Sequence, residues 1–324
     1  MNFDRVEKIA AAILYEGYIL YPYRKSAIKN RQRWNFGTLY PRIYAVQQRP
    51  QEPFRLVAEL LAVADQHAII DLKISFLQLV RQQDLAGPHE LSDPSLAWDE
   101  AVERTSEHPC IDLHDLRIAP LAVPLHLEGA ILPDGRSSTP ALDLDALLSI
   151  TAELLPDGSY RLRLELQNFS SLSSGADAKR DEALSQSFVS AHLVLGITGG
   201  EFVSLLDPPP THSASVAACN NLGVFPVLAG EEPDRTLMLC SPIILYDYPK
   251  IAPESEGDFF DGTEMDEMLT LRVLTLTDAE KEEMRQVDPR ARRILERTES
   301  LSNEAMLMAH GIVRSLREIQ EDAL

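Results

Sequence analysis

The stretch His108–Asp115, HPCIDLHD, gathers His108, Cys110, Asp112, His114 and Asp115 within eight positions. Thiolate, imidazole and carboxylate are the donors from which transition-metal sites are built. In an extended chain side chains alternate, so Cys110, Asp112 and His114 would share a face and could converge on an ion. Their spacing matches no closed metal site, and a strand entering a sheet accounts for the same residues without a metal. A metal-dependent enzyme or metal-handling protein using His108, Cys110 and His114 is therefore a competing reading. A second collection of donors is the acidic run Glu254, Glu256, Asp258, Asp261, Glu264, Asp266 and Glu267. It misses the ligand positions and the central glycine of a calcium-binding EF-hand loop. That run reads as a solvated loop, or as a surface that docks on a basic segment.

Other chemistry loses its usual sequence support. The chain has no G-x-x-x-x-G-K-[ST], no G-x-G-x-x-G after a strand, no G-x-S-x-G elbow and no H-E-x-x-H. These motifs mark nucleotide hydrolysis, dinucleotide binding, α/β-hydrolase chemistry and zincin proteolysis. No cofactor is expected.

The compositional anomaly is the segment Tyr15–Tyr44, which holds six of the nine tyrosines together with Trp34 and Phe36. Between Glu16 and Glu52 it carries seven Arg or Lys and no acid, in a chain of net charge −20. Tyr, Trp and Arg dominate the energetics of protein interfaces. The expected partner-binding residues are thus Tyr21, Tyr23, Arg24, Lys29, Arg31, Arg33, Trp34 and Phe36, with Asp258, Asp261 and Glu264 as a complementary acidic patch. Nucleic-acid binding through the basic run 24–33 is a further alternative, in which bases stack on the aromatics. The acidic remainder, with a pI near 4.8, disfavours it because a phosphate backbone would be repelled. Core packing of the aromatics would explain the same residues without any partner.

The elements that must position these residues follow from length and pattern. At 324 residues, 45% apolar and 25% charged, the chain is an ordinary globular one with a sizeable core. Three well-separated cysteines, Cys110, Cys219 and Cys240, suit neither a disulfide framework nor a zinc finger, and point to reduced thiols in the cytoplasm. The N-terminus lacks a signal-peptide pattern, and no apolar run is long enough for a membrane span. Apolar spacing predicts a helix over 4–16, a strand over 39–47, mixed signals over 54–65 and a strand over 69–81. Residues 83–109 read as a long surface loop or a weakly helical linker. Short alternating runs over 118–127, 147–154, 160–168, 188–195, 201–206 and 236–245 predict antiparallel strands. The clearest is YRLRLELQN, where Leu162, Leu164 and Leu166 oppose Arg161, Arg163 and Glu165. Residues 170–181 read as a mobile loop, and 269–276 as a short strand. Thr277 with Glu280 forms a capping box, and Asp288-Pro289 starts a further helix. A last helix, over 305–319, has its apolar stripe turned to the core.

These patterns predict an α+β fold with an antiparallel β-sandwich core, immunoglobulin-like or C2-like in pattern. The expected parts are an N-terminal mixed α/β segment over 1–110, the sandwich over 111–276 and C-terminal helices over 277–324.

Two stretches carry a resemblance. LYEGYILYPYRKSAIKNRQRWNFGTLYP at 14–41 and SPIILYDYPKIAPESEGDFFDGTEMDEMLTLRVLTLTDAEK at 241–281 are similar to uncharacterised proteins encoded alongside uptake [NiFe]-hydrogenases of the actinobacterial, high-affinity type. The resemblance implies a non-catalytic accessory or assembly role. The implied partner is a hydrogenase subunit or another maturation protein, bound in the cytoplasm with no membrane contact. It implies no catalytic or metal-binding residues. The chain also lacks the C-x-x-C pairs and nucleotide-binding loop of many hydrogenase maturation factors, which speaks against metal insertion or energy coupling.

Overall fold

A computed structural model describes residues 3–16, 23, 36–81, 99–129, 141–250, 266–287 and 289–300. The chain divides into two compact units. One comprises Met1–Tyr18 and Gln32–Ile251, the other Ile19–Arg31 and Ala252–Leu324. The expected boundary at residue 110 does not occur, because a strand runs through it and pairs with the strand before.

The larger unit is built on β1, a 27-residue strand Arg55–Arg81. Residues 54–65 carry helical propensity, but their even-numbered side chains continue the alternation of 69–81, and pairing on both edges overrides local preference. Leu56, Ala58, Leu60, Ala62, Ala68, Ile70, Leu72, Ile74 and Phe76 all enter one core. The first half of β1 pairs with β5, Tyr160–Asn168, and the second half with β2, Asp99–Asp112. β6, Val189–Val203, runs antiparallel to both halves. Outward from β5 lie β4, Leu144–Leu154, and β3, Leu121–Leu127. Outward from β6 lie β8, Leu237–Ser241, and the edge strand β7, Phe225–Leu228. The whole is one antiparallel sheet with a sandwich-like core, as the sequence pattern predicts. In β5, Leu162, Leu164 and Leu166 are buried, whereas Arg161, Arg163 and Glu165 are partly exposed.

Irregularities bend the two long strands and increase their twist, as bulges do. Residues 65–68 of β1 are accommodated opposite the single residue Gly199 of β6. Gly199 has φ +83°, and a Cβ on the neighbouring Gly200 would lie 2.4 Å from Ala64 Cβ, so the close approach needs glycine. A second bulge near Ser190, φ +51°, turns Phe188 onto Phe76, with ring centroids 4.5 Å apart.

The helix expected at the N-terminus is α1, Asp4–Leu14. Its Val6, Ile9 and Ala10 pack on Val194, Val227, Leu237 and Leu239, on the face of β6–β8–β7 away from the main core. Lys73 of β1 ties it down through Glu7, at 2.6 Å, and also meets Glu107 at 3.2 Å.

Several segments differ from expectation. Residues 39–47 form a single bridge at Leu39 and then the short helix α2, Arg42–Ala45. Pro41 supplies the starting carbonyl, which accepts from the amides of Tyr44 and Ala45. Residues 99–109 are not a loop but most of β2, made extended by pairing with an apolar strand. The segment 113–118 is a helix, α3, Leu113–Ile118, so β3 starts later than predicted. The strands over 188–195 and 201–206 are the one strand β6. Within 170–181, a 3-10 turn at Gly175–Asp177 precedes α4, Arg180–Ser185.

The smaller unit contributes α6, Asp266–Leu274, α7, Asp278–Val287, and α8, Pro289–Ser300. α5, Ser213–Ala217, belongs to the larger unit. Residues 269–276 were expected to be a strand, but Leu269 and Val273, four apart, are both fully buried, which is helical spacing. The capping box forms as predicted. Thr277 N donates to Glu280 Oε2 at 2.9 Å, and Glu280 N donates to Thr277 Oγ1 at 3.4 Å. The helix expected over 305–319 lies outside the described residues. No helix among the described residues is long and apolar enough to cross a membrane.

One core residue makes stability depend on pH. His192 of β6 is 1% exposed; its Nδ1 donates to Ser190 O at 2.9 Å, and its Nε2 has no partner among the described residues. Burial lowers its pKa from 6.5 to about 4. A depressed pKa means that the unfolded chain takes up the proton first, so the His192 contribution is complete above pH 6.5 and lost as pH falls toward 4. Denaturant unfolding of wild type across this window is expected to show a loss of roughly 3 kcal/mol from this group. His192→Gln removes that part of the slope; an unchanged slope contradicts the assignment.

Candidate functional site

The donors in 108–115 do not share a face. Ile70 is opposite Ile111 and Leu72 opposite His108, so β2 holds one residue more than β1 between these pairs. The excess is a bulge at Pro109-Cys110, with Cys110 at φ +60° and its amide donating to Asp71 Oδ1 at 2.9 Å. The strand then ends at Asp112, whose Oδ1 accepts from His114 N at 2.7 Å and caps α3. That amide, more than any other partner, holds the Asp112 carboxyl below its usual pKa. Cys110 is therefore exposed on a bulge, and His114 sits on a helical turn with its ring 5.1 Å from that of His67. His108 is half-buried, which pulls its pKa down, and its Nε2 lies 3.1 Å from Ser106 Oγ. Among the described residues no group of three or more His, Cys, Asp or Glu is placed to hold a metal ion. A cleft of about 550 Å³ beside Cys110 is walled by Asp4, Glu7, Asp71 and Glu107. All four are already engaged: Glu7 and Glu107 hold Lys73, Asp71 holds the Cys110 amide, and Asp4 has a polar interaction of its own.

A second polar cluster joins the β4–β5 turn to α5, Ser213–Ala217. In the turn Pro156-Asp157-Gly158, Gly158 takes φ +82°. Asp157 accepts from Ser159 Oγ at 2.6 Å, Ser215 Oγ at 2.6 Å, Ser159 N at 2.9 Å and His212 Nδ1 at 3.1 Å. These donors, the Ser159 hydroxyl first, hold its pKa far below the carboxylate range. Ser, His and Asp are the components of acyl-transfer triads. Here, however, the Ser215 hydroxyl donates to the carboxylate and not to the imidazole, so no base is set to take its proton. Cys219 lies beyond, its thiol pushed up to about 11 by burial and then by Glu59, the opposite of an activated nucleophile. Glu59 pairs with Arg163 at 2.8 Å and accepts from Asn220 N at 2.8 Å. Together these contacts pin the chain around α5 over Leu61, Leu155 and Val203. Apart from Ser159, two positions from Asp157, the partners in this cluster are 55 to 161 positions apart, so it was not legible in the sequence.

Of the aromatic and basic residues expected to bind a partner, Tyr21, Arg24, Lys29, Arg31, Arg33 and Trp34 lie outside the described residues, as do Asp258, Asp261 and Glu264. Tyr23 is fully buried, within the smaller unit, so its ring is core and not surface. Phe36, in the larger unit, is 37% exposed. The segment ends in a feature that the sequence analysis did not single out. Arg42, the first residue of α2, places its guanidinium 5.7 Å from the centroid of Phe54 and 5.8 Å from that of Phe169. Three hydrogen bonds fix the segments that carry them: Tyr40 N to Pro53 O, Asn168 N to Phe54 O, and the Asn168 side-chain amide to Leu39 O, all within 2.8–2.9 Å. Asn168, fully buried, is the hub. Ile43 and Phe169 are 45% and 43% exposed beside Arg42. Arg55 stacks on the same Phe54 ring but is paired with Glu165 at 2.8 Å. Arg42 has neither an ion pair nor a side-chain hydrogen bond among the described residues. Its only sequence signal was membership of the acid-free run between Glu16 and Glu52.

Comparison with known proteins finds no family model and no curated protein that matches the chain.

The Asp157 cluster makes a structural prediction. Asp157→Asn weakens the acceptor for His212 and two serine hydroxyls, so limited proteolysis is expected to cut sooner between residues 207 and 222. The circular dichroism spectrum should be unchanged. Cleavage at the wild-type rate would show that the cluster does not hold this segment.

Proposed function

We propose that the chain is a non-catalytic accessory protein that works by binding another protein, and that the partner is a subunit or maturation protein of an uptake [NiFe]-hydrogenase. One observation carries the binding reading. Arg42, exposed and within 5.8 Å of the Phe54 and Phe169 ring centroids, lies next to exposed Ile43 on an otherwise strongly acidic molecule. Arginine and aromatic side chains that are already held in place lose little freedom on binding, which is why they dominate interface energetics. The identity of the partner rests on the resemblance of residues 14–41 and 241–281.

The test is co-purification of the tagged chain from cells that also express the hydrogenase subunits and maturation proteins. At least one of these is expected to be retained by wild type. Arg42→Ala combined with Trp34→Ala is expected to lower recovery at least about tenfold, since truncation of one hot-spot residue costs about 2 kcal/mol or more and tenfold needs about 1.4 kcal/mol. Failure of every hydrogenase component to co-purify would overturn the assignment of the partner.

A further inference from the structure

The geometry at the start of α2 points to a carboxylate receptor. We propose that Arg42, set beside Phe54 and Phe169, takes an Asp or Glu side chain from an acidic segment of a partner protein, and that an apolar neighbour of that carboxylate rests on Ile43 and Phe169. This proposal rests on the reading of the chain as a protein-binding module and names the chemistry of what is bound.

Three observations support it. The first is the state of the guanidinium. Arg42 Cζ lies 5.7 Å from the Phe54 centroid and 5.8 Å from that of Phe169, within cation–π range of both, and no residue described uses its N–H donors. A planar fork of this kind matches a carboxylate with two parallel hydrogen bonds, and a guanidinium sheltered by rings is less hydrated than a free one. The second is local charge. Arg49 lies on the turn after α2, exposed, with Nη1 donating to Val46 O at 3.1 Å and Gln48 O at 2.8 Å. The nearest carboxylate of β5, Glu165, is already shared by Arg55 and Arg163, each at 2.8 Å. Glu52 and Asp181 also act on Tyr44 of α2, opposed by Arg180, so Arg42, Arg49, Arg55 and Arg180 outnumber the carboxylates Glu52, Glu165 and Asp181 at this corner of a chain that carries −20 as a whole. The third is rigidity. The three segments that carry the stack are joined through buried Asn168, so the receptor exists before binding.

The surrounding negative charge shapes the salt dependence. At physiological ionic strength charges more than about 8 Å away are largely screened. Salt therefore weakens repulsion from distant acids as well as the local attraction, and the affinity should fall only shallowly. A polyanion bound by counterion release would fall steeply.

The experiment uses the full chain and fluorescence anisotropy with two labelled peptides. One has Asp and Glu interspersed with Leu and Phe, and the other replaces each acid by its amide. Wild type is expected to bind the acidic peptide at least about tenfold more tightly than the amide peptide, the scale of charged hydrogen bonds. Arg42→Lys keeps the charge but loses the fork and the stack, and is expected to bind about tenfold more weakly. Phe169→Ala should behave likewise, with thermal midpoints recorded to show that both variants are folded. Equal affinity for the two peptides, wild-type affinity in Arg42→Lys, or equal competition by single-stranded DNA would each overturn the proposal. Co-purification of a hydrogenase component without binding of the acidic peptide would overturn the receptor and leave the protein-binding reading standing. Arg42-dependent peptide binding without such co-purification would support the receptor and overturn only the hydrogenase partner.

Discussion

Hydrogen bonding along both edges of the strand Arg55–Arg81 determines where nearly everything else in the larger unit can lie. Because its two halves face different neighbours, β5 then β2, the strand cannot be a simple member of a flat sheet. Its even-numbered residues from Leu56 to Ala62 and from Ala68 to Phe76 still enter a single core. That combination requires the sheet to curl while keeping its alternation in phase, since a slip of one residue would turn Leu60 and Ile74 outward and Glu59 and Lys73 inward. The bulges opposite Gly199 and near Ser190 allow the bend. The β3–β4–β5 arm then covers one face of the core, and α1 covers the other side of β6.

The same strand places the polar clusters. Its start carries Phe54 and Arg55 to the corner where Asn168 ends β5, and this sets Arg42 beside two rings. Lys73, half-buried beside α1, has its pKa raised because Glu7 and Glu107 outweigh the burial that works against its charge. At Asp71 the strand meets the Cys110 bulge, which is why the histidines and cysteine of 108–115 scatter. A motif rich in metal donors is thus used mainly as structure: a strand, a bulge and a helix cap.

Short-range patterns were the legible part of the sequence. Alternation in β5, the spacing of α1, the Pro-Asp-Gly turn and the Thr277 capping box depend on residues within a turn or two of each other, and each appears as predicted. Residues whose state is set by distant partners were read wrongly. Val102 to His108 look like a charged loop until β1 pairs with them, and residues 266–274 mix strand propensity with a helical burial pattern. The proposed binding surface is legible only in part. The basic, aromatic composition of 15–44 pointed to a region, but Phe54 and Phe169, which lie beside Arg42, are 12 and 127 positions away from it. No local pattern relates them, because Asn168 and the sheet register bring them together.

Within this account the aromatic segment near the N-terminus has several roles: Tyr23 is core, Tyr40 and Tyr44 pack behind α2, and Arg42 with Ile43 faces outward. The central claim is that this outward face is where a partner protein binds. Hydrogen–deuterium exchange of the full chain, with and without a co-purifying hydrogenase component, tests it directly. The account predicts slower exchange at residues 39–56 and 167–171 in the complex. Slower exchange confined to other parts of the chain, with these amides unchanged, would contradict it.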